Sequence, residues 1–275
     1  MKPISIARPL ALILLLYAGA YASPPDVSTI IERSVEANQR DWRAAPRFDY
    51  DEQDRAADGR TRTYEEMMIL GSPYERLIAV SGEPISSELQ AAESAKLEEA
   101  IAERSTESPA ERAQRIGKYV RDRDRDHLLM EQLTVAFNFK LVGEQTLGGH
   151  QVYFLKATPR PEYQPPNVEA EVLTGMEGRL WIDETTFQWV KVEARVIHPV
   201  SIGGFLARVE PGTRFLLEKA PVTDTVWLPS HFSMESRARV LFFFSKHKQA
   251  DETYFNYQTR SPEPAGTPLP SGNGP

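Results

Sequence analysis

The sequence predicts an α+β protein built around one large antiparallel sheet. Between about residues 132 and 258, strand patterns follow one another across short turns with no helix between them, which is typical of an antiparallel meander. One amphipathic helix precedes the first strands, and two helix-start signals separate an early group of strands from the meander. We expect a single domain over residues 23–260, because the strands before residue 85 are too few to form a core of their own.

The N-terminus has the composition of an export signal. Lys2 and Arg8 supply positive charge, residues 10–16 form a short apolar run, and Ala-Tyr-Ala at residues 20–22 fits the small-x-small cleavage rule. The apolar run is too short to form a stable membrane span before the polar, proline-containing sequence that follows it. The sequence therefore predicts a signal peptide over residues 1–22, cleavage after Ala22, and a periplasmic or secreted mature protein.

The composition excludes several kinds of site. The chain of 275 residues carries a formal net charge of -7, which argues against nucleic-acid binding because phosphate contacts require a basic surface. It contains no cysteine, so thiol nucleophiles, thiolate metal sites and disulfides are excluded. In an oxidising compartment the stability of the fold must then come from its core alone.

Helical spacing and turn residues define the first elements. Apolar residues recur every three or four positions and predict a helix from Val27 to about Asp41, with Asp26 or Ser28 as its N-cap. Asp58-Gly59 is a polar turn, and an extended run from Arg60 to Leu70 follows it. We expect these residues to form a first hairpin.

A helical pair is predicted between about residues 86 and 131. Ser87 to Gln90 has the form of a capping box, and Ser108 to Glu111 repeats that signal with a proline at the first helical position. The segments that follow, 88–104 and 109–131, are rich in Ala, Glu and Arg and poor in β-branched residues. We expect two helices that are inserted between the two groups of strands.

The stretch from Leu133 to Val142 has the clearest strand pattern. Its odd positions are large and apolar whereas most even positions are polar, and this period of two predicts a strand with one apolar face. Burying that face contributes on the order of 7–15 kcal/mol, at about 1.5–3 kcal/mol per large side chain. We expect the following residues to face whatever the insert covers: Leu133, Val135, Phe137, Phe139 and Leu141.

The remaining strands are separated by turns and loops rich in glycine and proline. Thr185-Thr186 is a tight turn, and residues 158–166, with four prolines, form a loop. Residues 261–275 are rich in Pro, Gly and Ser and are predicted to be disordered. Strands are predicted over residues 74–80, 152–157, 178–183, 187–197, 205–209, 213–218 and 231–240, with a last strand around 254–257.

No catalytic or metal-binding pattern stands out. None of the five histidines lies two or four residues from another, so no spacing predicts a zinc pair. Asp122, Asp124 and Asp126 begin like a calcium loop, but His127 and Leu133 occupy the positions that require glycine and glutamate. The chain has no nucleophile elbow, P-loop or dinucleotide fingerprint. We therefore predict a non-enzymatic protein without metal or cofactor, although a pair of glycosidase carboxylates, which is defined only in space, stays open.

Large apolar and aromatic side chains are concentrated on the predicted strands. The simplest interpretation is a filled core, because a sheet covered by helices uses one apolar face. The alternative is a curved sheet that leaves a cavity between itself and the helices, where half-closed barrels often hold apolar ligands. Under this alternative we expect the cavity to be lined by Leu133, Val135, Phe137, Phe139, Leu141, Trp181, Trp189, Phe205, Trp227 and Met234.

Three stretches carry a family resemblance: the N-terminal helix after a signal peptide, residues 67–76 (MMILGSPYER) and residues 178–186 (GRLWIDETT). Together they resemble the periplasmic lipoprotein-carrier superfamily, which comprises LolA-like and LolB-like half-barrels and outer-membrane lipoprotein-sorting proteins. The resemblance implies an unclosed antiparallel half-barrel whose concave face is covered by the N-terminal helix and the helical insert. It also implies a hydrophobic cavity for lipid or for the acyl chains of a lipoprotein. The insert is longer than the usual lid of a carrier, and no residue here matches a specific functional position of that family.

These observations leave three hypotheses. The leading one is an exported periplasmic protein that binds an apolar small molecule, lipid or lipoprotein in a half-barrel cavity, with the helical insert moving as a lid. The second keeps the fold but fills the cavity, so that the helices contact an envelope protein partner, as the related sensor proteins of envelope-stress pathways do. The third is a metal-dependent or glycosidic hydrolase, which requires histidines and carboxylates to converge in one pocket.

Overall fold

The computed structural model describes residues 25–204, 207–240 and 244–260. The predicted signal peptide, the tail from residue 261 and Phe205 lie outside these ranges. The described helices begin and end close to the predicted positions, and the two helices of the insert are present. They are α1 (Val27–Ala44), α2 (Ser87–Thr106) and α3 (Pro109–Ala136), with short 3-10 segments at Ala45–Arg47 and Glu169–Gly175.

The described strands form one 13-stranded sheet in which every pairing is antiparallel. Four strands precede the helical insert: β1 (Phe48–Arg55), β2 (Thr61–Ile69), β3 (Ser72–Val80) and β4 (Glu83–Pro84). The others follow it: β5 (Phe137–Leu147), β6 (His150–Pro159), β7 (Met176–Asp183), β8 (Trp189–Val196), β9 (Val200–Ile202), β10 (Ala207–Val209), β11 (Arg214–Pro221), β12 (Trp227–Val240) and β13 (Phe244–Thr259).

The strand order makes an open arc. The meander runs from β5 through β8, β11 and β12 to β13, which then pairs with β1, and the arc continues to β4. Strands β9 and β10 branch from β12. The two ends of the arc, β4 and β5, are therefore the strands that α2 and α3 connect in the chain. This curved, unclosed sheet with its helices confirms the predicted α+β half-barrel class.

One strand begins later than the sequence predicts. The prediction that Leu133 starts a strand is wrong, because α3 continues to Ala136 and β5 begins at Phe137. Leu133 packs against the main core together with Met130, three residues earlier, whereas Val135 is 48% exposed. Leu133 and Val135 therefore do not lie on one common face, as the predicted strand would require. The spacing of Met130 and Leu133 fits a helix, and the residues up to Ala136 are helical. Buried and exposed side chains alternate along β5 only from Phe137 onward.

Helix α1 presents a buried stripe to the sheet. Hydrogen bonds from the Ser28 hydroxyl and from Thr29 lower the pKa of Asp26, the N-cap residue, to about 2. The buried positions then recur at helical spacing at Ile30, Ser34, Ala37, Asp41 and Ala44. The stripe is made of apolar and small residues except for one carboxylate, at Asp41.

Two arginines fix the helical insert to the turn between β2 and β3. Arg104 donates to the Ser72 carbonyl (2.9 Å), and Arg115 donates to the Ser72 hydroxyl (2.7 Å) and to the Leu70 carbonyl (3.1 Å). Glu107 accepts two hydrogen bonds of 2.6 Å from Arg115, so the guanidinium is held in a bidentate pair. This arginine clamp anchors the N-terminal end of α3.

The sheet has one apolar face and one largely charged face. The main core lies between α1 and the face that we call the helix face, to which Leu180 and Ile182 of β7 contribute. Successive side chains of a strand point to opposite sides, so Arg179 and Trp181 lie on the other face, which we call the open face. Trp181 stacks there on Phe154, with ring centroids 5.0 Å apart. Buried residues of the main core include Ile30, Phe137, Tyr153, Leu155, Leu180, Ile182, Trp189 and Val196.

A tight turn between β7 and β8 shapes the helix face. The Asp183 carboxylate accepts hydrogen bonds from the backbone N–H groups of Thr185 (3.0 Å) and Thr186 (2.7 Å), which confirms the predicted turn. Phe187 follows with a positive φ of 59°, an uncommon conformation for a bulky residue. Its ring is buried in the core and the Arg33 guanidinium lies 3.6 Å from the ring centroid. Burial of this ring offsets the backbone strain.

Candidate ligand cavity

A cavity of about 310 Å³ lies between the helices and the helix face of the sheet. Helices α1 and α3 form one side of it, and strands β8, β11 and β12 form the other. Its walls are predominantly aromatic and aliphatic. The apolar residues that define it are Val35, Trp42, Met130, Trp189, Leu217 and Trp227.

Tryptophans dominate the cavity. The chain has four tryptophans. Trp42 and Trp189 line the cavity, and Trp227 borders it while its side chain packs with Trp181 on the open face. The indole N–H groups of Trp42 and Trp189 are buried without a hydrogen-bond partner among the described residues. A buried donor without an acceptor costs about 1–3 kcal/mol. The walls therefore combine a large apolar area with polar groups that the protein itself leaves unsatisfied.

A buried ion pair fixes one wall of the cavity. The Lys219 ammonium of β11 lies 2.5 Å from a carboxylate oxygen of Asp41 on α1, and both side chains are less than a tenth exposed. Asp41 also accepts hydrogen bonds from the Trp227 backbone N–H and from the Gln188 side chain, both at 3.1 Å. Asn38 accepts a second hydrogen bond from Lys219 at 3.0 Å. The pair thereby joins α1 to three parts of the sheet.

Burial and the ion pair act in opposite directions on Lys219. Burial lowers the pKa of the ammonium because the charged form loses its hydration, and the Asp41 carboxylate raises it. Lys219 donates hydrogen bonds to Asn38 and Asp41, and the negative charge of the Asp41 carboxylate compensates the positive charge of the ammonium. We therefore regard the pair as a structural support of the cavity wall.

Helix α3 contacts α1 at this cavity through the ring of Trp42. His127 stacks on that ring with centroids 4.2 Å apart, and the Arg123 guanidinium lies 4.3 Å from its centroid. Arg123 also donates to the Trp42 carbonyl. Burial lowers the pKa of His127, although Glu131, whose carboxylate lies 3.1 Å from the imidazole, opposes the shift. The neutral imidazole is favoured at neutral pH.

The structure places the ten residues expected to line a cavity in several environments. Of those whose side chains the structure describes, Trp189 lines the cavity between helices and sheet, and Trp227 borders it while its side chain packs with Trp181. Phe137 is buried in the main core, and Leu133, Phe139 and Leu141 pack against it. Val135 is exposed on α3, Trp181 packs on the open face, and Phe205 lies outside the described residues. Met234 borders a separate groove, and its cross-strand partner Phe215 packs against the main core.

Several cavity residues were not identified from the sequence. Trp42, Arg123, His127, Met130 and Lys219 come from α1, α3 and β11, which are far apart in the chain. One local signal was available for Asp41, because a carboxylate at a buried helix position requires a partner in the fold. The identity of that partner depends on tertiary packing.

The groove on the open face has a larger volume, about 970 Å³, but different chemistry. The described residues that line it all lie on strands, and most of its charges are paired across neighbouring strands. Arg179 lies 3.6 Å from Glu193, and Arg214 lies 2.7 Å from Glu235. A groove with paired, exposed charges offers little gain to an apolar ligand.

A group of carboxylates lies on β1 and β13. Glu52, Asp54 and Glu252 bring carboxylate oxygens within 4.8 Å of one another. Burial raises the pKa of Glu52 to about 8 and that of Glu66 on β2 to about 7, and neighbouring carboxylates add to both shifts. The Tyr254 hydroxyl donates to Glu252 at 2.5 Å. Near neutral pH Glu52 therefore retains its proton, and we assign no metal to the group.

The described histidines do not converge on one site. The four whose side chains the structure describes lie on four different parts of the chain, and only His127 lines the cavity. His150 contacts Asp183 at 3.2 Å, and His231 contacts Asp251 at 3.0 Å, both outside it. This dispersal gives no support to the hydrolase hypothesis.

Known structures include distant likenesses of this fold. No family model and no curated protein matches the chain. The structure is similar to an outer-membrane lipoprotein-sorting protein domain from Vibrio parahaemolyticus, at 11% identity and a TM-score of 0.32 over 85% of this chain and 95% of that one. It is also similar to a LolA superfamily protein from Nitrosomonas europaea, at 11% identity and a TM-score of 0.32 over 86% and 94% of the two chains.

A third likeness is to a chain of the Pseudomonas aeruginosa MucA/MucB complex, at 12% identity and a TM-score of 0.22 over 83% of this chain and 99% of that one. The first two structures belong to the groups that the sequence resembles. At these identities and TM-scores the likenesses support no inference about a ligand or a partner. Within the part of the chain that the structure describes, no helix is long and apolar enough to cross a membrane.

Proposed function

We propose that this protein is an exported, periplasmic, non-enzymatic binding protein that holds an apolar ligand, such as an acyl chain of a lipid or lipoprotein, in the cavity between α1, α3 and the sheet. The observation that carries the proposal is the composition of that cavity, in which Trp42 and Trp189 combine with Met130 and Leu217. Its volume of about 310 Å³ lies at the lower end of the range of about 300–1,000 Å³ that is usual for small-molecule pockets.

Desolvation of the ligand would drive binding. Each methylene group that leaves water contributes about 0.8 kcal/mol, and indole rings offer large, rigid contact surfaces. The Lys219 ammonium already has its counter-ion in Asp41, so this pair places no demand on an apolar chain. No step in this mechanism requires bond breaking.

Helix α3 is the wall that we expect to move when the ligand enters. The arginine clamp holds its N-terminal end, and its C-terminal end continues directly into β5. Between these ends, α3 contacts α1 at the cavity chiefly through the ring of Trp42. Displacement of this middle part would open the cavity and allow the insert to act as a lid.

Quenching of tryptophan fluorescence by a dibrominated fatty acid tests the proposal directly. Bromine quenches only nearby indoles, and two of the four tryptophans, Trp42 and Trp189, line the cavity, so we expect a large part of the emission to be lost on saturation. Val35→Phe should weaken binding at least tenfold, because the larger side chain removes volume that about two methylene groups would fill. Val168→Phe is the matched control, since Val168 is exposed and does not line the cavity.

The alternative functions give different results. A wild-type protein that shows no quenching, and no bound lipid in native mass spectrometry after purification from membrane-containing lysate, would be the scaffold with a filled core. Equal affinities of the two phenylalanine variants would place the ligand elsewhere. Hydrolysis of ester substrates by the purified protein would contradict the non-enzymatic assignment.

A further inference from the structure

The charged groups that line the cavity are compensated to different degrees. Lys219 is paired with Asp41 inside the protein. Glu131 has a side chain that is 43% exposed, so water can solvate its carboxylate. Arg123 is the cationic side chain of the cavity that forms no ion pair with any carboxylate whose side chain the structure describes.

The surroundings of Arg123 hold its guanidinium in place and leave N–H donors that a ligand could use. The side chain is half-buried, and loss of hydration lowers the pKa of its guanidinium. It stacks over Trp42 and donates to the Trp42 carbonyl. A guanidinium has five N–H donors, so most of them stay available after this contact. Stacking on the indole fixes the plane of the group without consuming its hydrogen bonds.

We infer that the ligand is an anionic amphiphile, with a carboxylate or phosphate head that binds Arg123 and an apolar chain that lies along Met130, Trp189 and Leu217. This inference rests on the proposed function and names the class of ligand. Arginine binds carboxylate and phosphate oxygens through two parallel hydrogen bonds, and such bonds strengthen where water is partly excluded. The head would supply the anion that Arg123 lacks among the side chains that the structure describes.

A panel of twelve-carbon ligands separates the head group from the chain. Dodecanoate and dodecyl phosphate carry anionic heads, whereas methyl dodecanoate and dodecanol keep the chain and lose the charge. We expect calorimetry to give about ten- to a hundredfold tighter binding for one or both anionic ligands, the range for a hydrogen bond to a charged group. The ratio between dodecanoate and dodecyl phosphate then distinguishes a carboxylate head from a phosphate head.

Variants of α3 assign the preference to one side chain. Arg123→Gln should reduce the affinity for the anionic ligands about ten- to a hundredfold and leave the neutral ligands nearly unchanged. Arg123→Lys should retain part of the preference because the charge is kept. Arg121→Gln is the matched control, since Arg121 is exposed on the same helix and does not line the cavity. Glu131→Gln should not weaken anion binding.

The outcomes separate this inference from the proposed function. Equal affinities of wild-type protein for dodecanoate and its methyl ester would overturn the anionic head while leaving apolar binding intact. A preference that survives in Arg123→Gln, or is lost equally in Arg121→Gln, would also overturn the role of Arg123. Absence of binding by every ligand would overturn the proposed function and this inference with it. If Arg123→Gln does not fold, the ratio of anionic to neutral ligand affinities is compared between the wild-type protein and Arg123→Lys, and an unchanged ratio would overturn the role of Arg123.

Discussion

The two sides of the sheet differ in a way that volume alone does not reveal. The groove on the open face is about three times as large as the cavity on the helix face, at about 970 Å³ against 310 Å³. Most of its charges are nevertheless paired between neighbouring strands, as in Arg179 with Glu193. The smaller cavity is lined by indoles, has one buried ion pair and leaves Arg123 without a counter-ion among the described side chains.

This difference shows how a single alternating sequence can produce two unlike surfaces. Apolar and charged residues alternate along each strand. Because successive side chains point to opposite sides, the apolar residues lie on the helix face and the charged residues lie on the open face. On the open face, opposite charges satisfy each other at low cost in water. On the helix face, each polar group must find a partner in the protein or in a ligand. A binding site is therefore identified by what it leaves unsatisfied, and size is a poor guide.

The largest expected contrast between the two sides concerns their ion pairs. Asp41→Ala should lower the free energy of unfolding by about 3–5 kcal/mol, because it leaves the Lys219 ammonium buried without a counter-ion. Arg214→Ala, which breaks a pair with Glu235 on the open face, should cost about 0–1 kcal/mol. Urea denaturation of the two variants measures both values. Similar losses would show that the Asp41 pair is solvated like a surface pair.

A second contrast uses adjacent residues of β6. Leu155 is fully buried on the helix face, whereas Lys156 is exposed and lines the open-face groove. Leu155→Ala should cost about 2–5 kcal/mol of stability through lost burial and a new cavity. Lys156→Ala should change the stability by less than about 0.5 kcal/mol. Thermal or urea unfolding provides the measurement, and a reversal of the order would contradict the assignment of faces.

The smallest contrast concerns pH. Burial raises the pKa of Glu52 to about 8 from the usual 4.5, so the folded protein binds a proton that the unfolded chain releases. The stabilisation is fully present below about pH 4.5 and is lost as the pH rises through about 8. Glu52→Gln, which mimics the protonated form, should therefore stabilise the protein at pH 8.5 by on the order of 1 kcal/mol, after allowance for partial exposure, and have little effect at pH 4.5.

Glu235 provides the control with the opposite sign. Hydrogen bonds from Arg214 and Arg237 lower its pKa, so its contribution is present above the usual pKa and is lost as the pH falls. Glu235→Gln should slightly destabilise the protein at pH 8.5 and lose this effect in acid. Denaturation curves at the two pH values for both variants are the measurement. If the changes in unfolding free energy of the two variants depended on pH in the same way, the proposed difference between the environments of Glu52 and Glu235 would be wrong.

Most of the fold could be predicted from local sequence signals. Helical spacing after Asp26, the capping box at Ser108 and the turn at Asp183 act within a few residues, and each is present in the structure. The failure at Leu133 has a physical cause, because an apolar residue there fits both a strand of period two and the helical face that begins at Met130. Packing of that face against the core chose the helix.

The cavity could be predicted only in part. Trp189 and Trp227 are strand aromatics, which is why the sequence pointed to them. Trp42 lies near the end of α1, and Arg123 lies in a charged run whose sequence alone indicates only a solvated helix face. Their contact depends on the relative position of α1 and α3, which are separated in the chain by four strands and helix α2. No local pattern encodes that position.

The sequence by itself determined the class of the fold, the alternation of the two faces and the absence of thiol chemistry, because periodicity, capping and composition are local properties. Tertiary structure alone decided that β13 pairs with β1, that Asp41 meets Lys219, and that Arg123 lies over Trp42 beside an apolar cavity. Those contacts join residues far apart in the chain. Their free energy arises from packing and desolvation, which exist only once the chain is folded.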